Sequence, residues 1–432
     1  MYLFTTLSIF VLSNSFFYLF WWSRISGVFN TADIGLFILA LSLFFVFSMS
    51  HEKRLLFNRI SALIAFQLLF CAFHIFFVVL RFDYSLFNSI VASRSFLYYF
   101  CFFLFFLQLD TRQKAINALN ALNTIMLIIM ILSILNYFGP TIFHHEWAAG
   151  HHERAGIKRA FIPGMPILSM MAIWSFSNMY ASGFSKLNWN IYSVAYIIGH
   201  IFRQSRMRLF GVLLCLLGIS LYQRRFLMIA VALGMVAISS LVLQEVLEVD
   251  ILGENVTMTV EDISKTKGTF RVRMLFIREA LKEYLESPIV GTGGSAIRPF
   301  KGAYDDITRQ QFQQFSILGK QTDIGILNWV KDFGLLGLAW IVTFFFTLSR
   351  LALHALKNPD EDRRLALFCA FFLFFVMATS LTLEHLITSE TIPPVMFVSA
   401  ILVRMRYGWR EDTNRTGPPS QQGLDSLRAW SL

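Results

Sequence analysis

Arg203, Arg206 and Arg208 stand close together between two apolar runs, and Arg154, Lys158 and Arg159 lie upstream of them. A guanidinium presents a planar fork of donors that matches a phosphate two oxygens at a time. Arginines gathered at helix ends therefore imply either an anionic ligand or contact with lipid headgroup phosphates. A further arginine interrupts a helical pattern. Along Arg271–Glu286, RVRMLFIREALKEYLE, Val272, Phe276, Ile277, Ala280, Leu281 and Tyr284 fall on one broad face at about 100° per residue. Arg271, Arg278, Glu279, Lys282, Glu283 and Glu286 occupy the other, while Arg273 projects into the apolar side. A cation there either pairs with a buried carboxylate or lines a pocket for an anion.

Proton-handling groups lie near the same elements. Asp323 begins a long apolar run, where a carboxylate either caps the helix or takes a proton from a hydroxyl. Glu384 and His385 sit in the turn Thr382–Thr391. His144, His145, Glu146, His151 and His152 cluster in one loop, but without cysteine or aspartate partners they read as solvated rather than metal-binding. His74 and His200 fall within helices, as hydrogen-bonding members of a bundle. Ser287-Pro288-Ile289-Val290-Gly291-Thr292-Gly293-Gly294 stops a helix and turns the chain; with no Gly-Lys-Ser/Thr it is not a nucleotide-binding loop. Lys331 and Asp332 interrupt an apolar helix, as an internal pair or a functional site. The four cysteines, Cys71, Cys101, Cys215 and Cys369, all lie in apolar runs and form no disulfide or metal pattern.

What must hold these groups is a membrane bundle. Of 432 residues, 56% are hydrophobic and only 15% charged, with 47 Phe, and the mean hydropathy is +0.58. Soluble domains carry about 25% charged residues, so a water-borne fold, disorder and a fibre are excluded for most of the length. The sequence predicts an all-α polytopic membrane protein with about twelve transmembrane helices. These fall near 4–22, 33–50, 60–80, 86–108, 116–137, 160–181, 188–203, 207–222, 226–243, 323–349, 365–382 and 391–407. The first run lacks a basic leader and a cleavage site and is kept as a span.

Basic residues in the short loops fix the orientation. Lys53, Arg54, Arg59, Arg112, Lys114, Arg224, Arg225 and the segment Arg350–Arg364 fall on one side, as do Arg404, Arg406 and Arg410. That side is read as cytoplasmic, with both termini on it. The expected organisation is a bundle over 1–243, a large outer loop over 244–322 with an amphipathic helix at 271–286, three helices over 323–407 and a disordered tail over 408–432. The cations at 154–159 and 203–208 then lie outside, against the charge bias, as does the large loop.

Three blocks over about residues 200–350 resemble the O-antigen ligase and O-antigen polymerase superfamily of bacterial inner-membrane glycosyltransferases. They are Ser205-Arg206, followed by a Leu-rich span and Arg224-Arg225; Arg273 through Pro288-Ile289-Val290-Gly291-Thr292-Gly293; and Asp323 through Gly334-Leu335-Leu336-Gly337. The resemblance implies a fold like the lipid-linked-donor (C-type) glycosyltransferases with a periplasmic active site. It also implies a donor glycan on undecaprenyl pyrophosphate, an acceptor glycan, and inverting transfer without metal or cofactor. Membrane lipid, a chain-length regulator and a flippase are the implied partners; nucleic acid is not one. Arg206 and Arg273, helped by Arg203, Arg208 or Arg159, would bind the pyrophosphate, and Asp323, or else Glu384 or His385, would take the acceptor's proton. Ligases of this family carry His-Asn where this chain has Asp323-Ile324. That departure leans toward a polymerase, with a ligase as the alternative. The rival of another class is a flippase or transporter, for which charges along a path through the bilayer are few, namely Arg94, Lys331 and Asp332.

Overall fold

The computed structural model describes residues 2–13, 31–49, 58–82, 86–139, 142–143, 153–154, 157–158, 160–183, 185–203, 205–224, 234, 268–293, 324–358, 360–383 and 385–409. The helices are α1 (Tyr2–Leu12), α2 (Thr31–Met49), α3 (Arg59–Phe82), α4 (Leu86–Ser93), α5 (Cys101–Gln108), α6 (Arg112–Phe138) and α7 (Met165–Ala181). They continue with α8 (Leu187–Arg203), α9 (Arg206–Tyr222), α10 (Gly268–Glu286), α11 (Ile326–Lys357), α12 (Arg363–Thr379) and α13 (Ile392–Tyr407). A tight 3-10 stretch, Arg94–Phe100, joins α4 to α5. The only strands among the described residues are a two-residue antiparallel pair, Glu153–Arg154 with Ile157–Lys158.

Apolar composition all round a helix means burial all round. That describes α7 and α13, in which nearly every residue is buried. Both begin with a proline in the first turn, where no backbone N–H is needed. Helix α7 packs on α8, α9 and α12, while α13 packs on α5, α11 and α12. At the periphery Phe37, Phe44, Phe66, Phe73, Phe76 and Phe346 face outward, a surface suited to lipid tails rather than water. Among the described residues Arg59–Arg81, Arg112–Phe138 and Ile326–Lys357 are long and apolar enough to cross a membrane.

Two expected spans are not continuous. The run over 86–108 is divided by the 3-10 stretch, and Arg94 within it pairs with Asp33 at 2.9 Å. The run over 323–349 forms α11, which is broken at Gly334 (φ 62°, ψ −156°) and then continues to Lys357. The segment 226–243 apart from Gly234, most of the loop 244–322, the histidines of 144–152 and the tail beyond Trp409 lie outside the described residues.

Candidate active site

Four elements meet at the end of α12 that carries Thr379. The Thr379 hydroxyl donates to the Phe375 carbonyl at 2.7 Å, so its one hydrogen is committed. Its oxygen lies 2.7 Å from Nε2 of His385, which must therefore donate and leave its lone pair on Nδ1. The His385 ring packs edge-on against Phe375 at 5.5 Å and is buried. Helix α9 comes close because Gly211 has no side chain. A Cβ there would lie 2.5 Å from Thr379 and 2.8 Å from the Phe375 ring. One turn earlier on α9, Arg208 acts electrostatically on both His385 and His200. His200 reaches Ser169 of α7 at 3.4 Å.

Burial first, and then the charge of Arg208, pushes the His385 imidazole down to about 3. The ordinary value, about 6.5, applies to the unfolded chain. Between the two values the unfolded chain takes up a proton that the folded one does not, so stability falls as pH is lowered from about 6.5 toward 3. His385→Gln, which keeps a neutral donor, is expected to flatten this dependence in thermal unfolding midpoints measured from pH 5 to pH 8. An unchanged slope would place the titrating group elsewhere.

The opposite flank of the same turn receives the start of α11. The Ile326 N–H donates to the Ser380 carbonyl at 2.8 Å, and a Cβ on Gly325 would collide with that oxygen. A narrow cleft lies between them, lined by Gly325, Ile326, Trp329, Ser380, His385 and Leu386. Gly325, not Asp323, occupies the N-cap position of α11. The capping role open to Asp323 is thus taken by a glycine whose φ of 48° a side chain rarely adopts.

Helix α10 is fastened to α11 in three ways. Phe276 and Ala280 bury against Ile324, with Ile277 and Leu327 packed alongside. Arg273, half-buried, precedes this cluster by one turn on the same helix face. Lys331, with no exposed side-chain surface, lies 3.6 Å from Glu283 and 3.3 Å from Asp332. The third fastening is backbone to backbone. The N–H groups of Thr292 and Gly293 donate to the carbonyls of Lys331 and Asp332 at 3.0 and 3.1 Å. Leu335 and Leu336 return N–H bonds to Pro288 and Ile289 at 2.8 and 3.1 Å. Gly291 and Gly334 make this approach feasible, since a Cβ on either would lie 2.2–2.4 Å from a backbone oxygen of the other segment. His74 of α3 completes the junction, beside the backbone of Val290 and Gly291 and 5.1 Å from the Phe333 ring.

The residues singled out in the sequence distribute over these elements. Arg208, His200 and His385 come together at the α9–α12 contact. Arg206 opens α9 after Ser205, half-buried. Arg203 turns toward the chain before α7, donating to the Ala160 carbonyl at 3.4 Å and standing 5.9 Å from the Phe161 ring centre. Arg273 stands on the α10–α11 unit. Arg159, Asp323 and Glu384 lie outside the described residues. His385 is buried in its turn, because Phe375 and Thr379 enclose it. One expectation, the division of α10 into a packed and a solvent face, changes. Leu281, expected on the packed face of α10, is 49% exposed, while Glu283, expected in solvent, meets Lys331. Thr379, Gly211 and the Lys331–Glu283 contact carried no local signal, since each acquires its role from a partner distant in sequence.

The model of a protein family described as O-antigen ligase matches residues 191–342, a stretch that holds Ser205-Arg206, Arg273, the Pro288–Gly293 turn and the break at Gly334 together. No curated protein matches the chain. Members of the matched family are glycosyltransferase-like enzymes of polysaccharide biosynthesis. Over this stretch the chain is similar to the O-antigen ligase family, and its apolar helices are those of a membrane protein.

Proposed function

We propose that the chain is a polymerase that joins oligosaccharide repeat units carried on undecaprenyl pyrophosphate, at the periplasmic face of the bacterial inner membrane. The observation that carries glycosyl transfer is the family match over 191–342, which encloses both arginine blocks and the break at Gly334; Asp323-Ile324, where ligases of this family carry His-Asn, leans the reading to a polymerase. The layout is twelve spans with both termini cytoplasmic and the large loop periplasmic. In the proposed reaction an acceptor sugar hydroxyl attacks C1 of the donor sugar. The bond from C1 to the pyrophosphate oxygen breaks and its electron pair leaves with undecaprenyl pyrophosphate, which inverts C1. Arg206 and Arg273, with Arg203, Arg208 or Arg159, hold the diphosphate. Charge grows on that group as the bond breaks, so fixed guanidinium groups lower the barrier without a metal.

Asp323, bonded directly to Ile324 of the α10–α11 cluster, takes the hydroxyl proton. Glu384 is the second candidate. His385 supports this reading better as an ordering group than as a base, because an imidazole pushed down to about 3 binds a proton weakly. Asp323→Asn is expected to lower kcat by about 10²–10⁴-fold with KM for the lipid-linked donor little changed. Full turnover in that variant would move the proton transfer to another group. The acceptor glycan, a chain-length regulator and a flippase are the partners this activity calls for.

The family description favours a second reading, a ligase that transfers the glycan to lipid A core. Purified protein incubated with lipid-linked repeat units, with and without lipid A core, separates the readings. Polymer alone supports the polymerase and core-linked glycan the ligase, while no product points to a flippase or transporter.

A further inference from the structure

At the end of the bundle opposite His385, the C-terminus of α7, the start of α8 and the start of α12 enclose a cleft of about 220 Å³. Its walls are Asn178, Ser182, Ser185, Lys186, Trp189 and Arg364, with Ala181 between them. This composition is unlike that of the surrounding apolar surface. The Lys186 side chain makes no hydrogen bond or ion pair among the described residues, its carbonyl accepting from the Trp189 N–H at 3.1 Å. Arg364 holds Asp362 through Nε at 3.1 Å and Nη2 at 2.6 Å, which leaves Nη1 with no acceptor among the described residues. A guanidinium and an ammonium therefore line one cleft, beside the first turn of α8, whose own N–H groups add positive potential.

The hydroxyls complete the chemistry. Ser182 donates to the Met179 carbonyl at 3.1 Å and Ser185 to the Ser182 carbonyl at 2.7 Å, so both hydrogens are committed and the oxygen lone pairs remain to accept. Asn178 likewise gives one amide hydrogen to the Trp174 carbonyl at 2.8 Å. Trp189 packs edge-on with Trp174 at 6.2 Å and with Tyr192 at 5.5 Å. Aromatic groups of this kind gather at the level of lipid headgroups. Cations for a phosphodiester, acceptors for headgroup hydroxyls and an interfacial tryptophan converge.

We propose that this cleft binds the headgroup of an acidic glycerophospholipid of the adjoining leaflet, with its phosphate between Lys186 and Arg364 and its glycerol hydroxyls on Ser182 and Ser185. The site is independent of the glycosyl-transfer reading. It would fix the depth of α8 and α12 in the bilayer from the end remote from His385.

The test uses the full chain in phosphatidylcholine nanodiscs, titrated with phosphatidylglycerol. Bound lipid is counted by native mass spectrometry, and the unfolding midpoint is recorded. Wild type is expected to retain phosphatidylglycerol and to gain thermal stability with its concentration. Lys186→Gln, at an exposed residue with no contact to lose, should fold normally and bind about fivefold more weakly. Lys357→Gln, at the end of α11, should bind as wild type does. Unchanged affinity in Lys186→Gln would overturn the proposal. So would an equal gain in stability from inorganic phosphate alone, which would mark the cleft as a site for a free anion.

Discussion

Replacing Arg273 by alanine is expected to abolish long-chain polysaccharide in cells while the protein reaches the membrane at its normal level. The expected loss in kcat/KM is about 10²–10³-fold, the effect of removing one preorganised group that holds charge developing in a transition state. Arg273→Lys should recover little, because an ammonium cannot grip two phosphate oxygens with a planar fork. The position of the side chain sharpens the test. Arg273 lies one turn from Phe276 and two from Ala280, which bury against Ile324. If its role were to neutralise a buried carboxylate, alanine would leave an uncompensated charge, and membrane abundance would drop together with activity. Immunoblots of membrane fractions beside a polysaccharide gel distinguish the two. Normal abundance with full-length polymer in both Arg206→Ala and Arg273→Ala would remove the arginines from the reaction.

Gly334→Ala and Gly291→Ala are expected to be strongly destabilising. Gly334 has φ 62° and ψ −156°, a region essentially confined to glycine, and Gly291 has φ 86°. The backbone strain alone costs about 1–3 kcal/mol at such a position. A methyl group at either site would also meet backbone atoms of the facing segment at 2.2–2.4 Å, too close for any rotamer change to relieve. The two segments must separate, which breaks the four N–H bonds that tie Pro288–Gly293 to α11. Gly408 supplies the control. Its φ is 95°, but nothing lies within 4 Å of a Cβ there, so alanine brings strain without collision. Unfolding midpoints of the purified variants should rank Gly408→Ala well above the other two. Equal midpoints for all three would mean that the docked turn contributes nothing.

The helices were legible in the sequence where hydropathy alone sets their limits. Expected spans at 60–80, 188–203 and 391–407 appear as Arg59–Phe82, Leu187–Arg203 and Ile392–Tyr407. Breaks within an apolar run were not legible. The composition of 323–349 gives no sign that Gly334 leaves the helix, because the break is sustained by Thr292 and Gly293, which precede it by some forty residues. The same limit applies to the candidate site. Arg273 was visible because it violates a local period, whereas Lys331 looked like half of a pair with its neighbour Asp332. Its second carboxylate, Glu283, sits on another helix and on the face that periodicity assigns to water. Nothing in the turn sequence around His385 reveals that Phe375 and Thr379 fold over it.

The order in which the broken helix and its docking turn occur along the chain bears on biogenesis. A membrane interior provides no water to satisfy an interrupted helix, so the carbonyls of Lys331 and Asp332 need their donors as soon as they enter it. Those donors, Thr292 and Gly293, belong to a segment that is synthesised first. When α11 is made, the turn that repairs it has already been synthesised. Moving that turn downstream of α11 by circular permutation would reverse the sequence of events and leave the span to insert with its break unsatisfied.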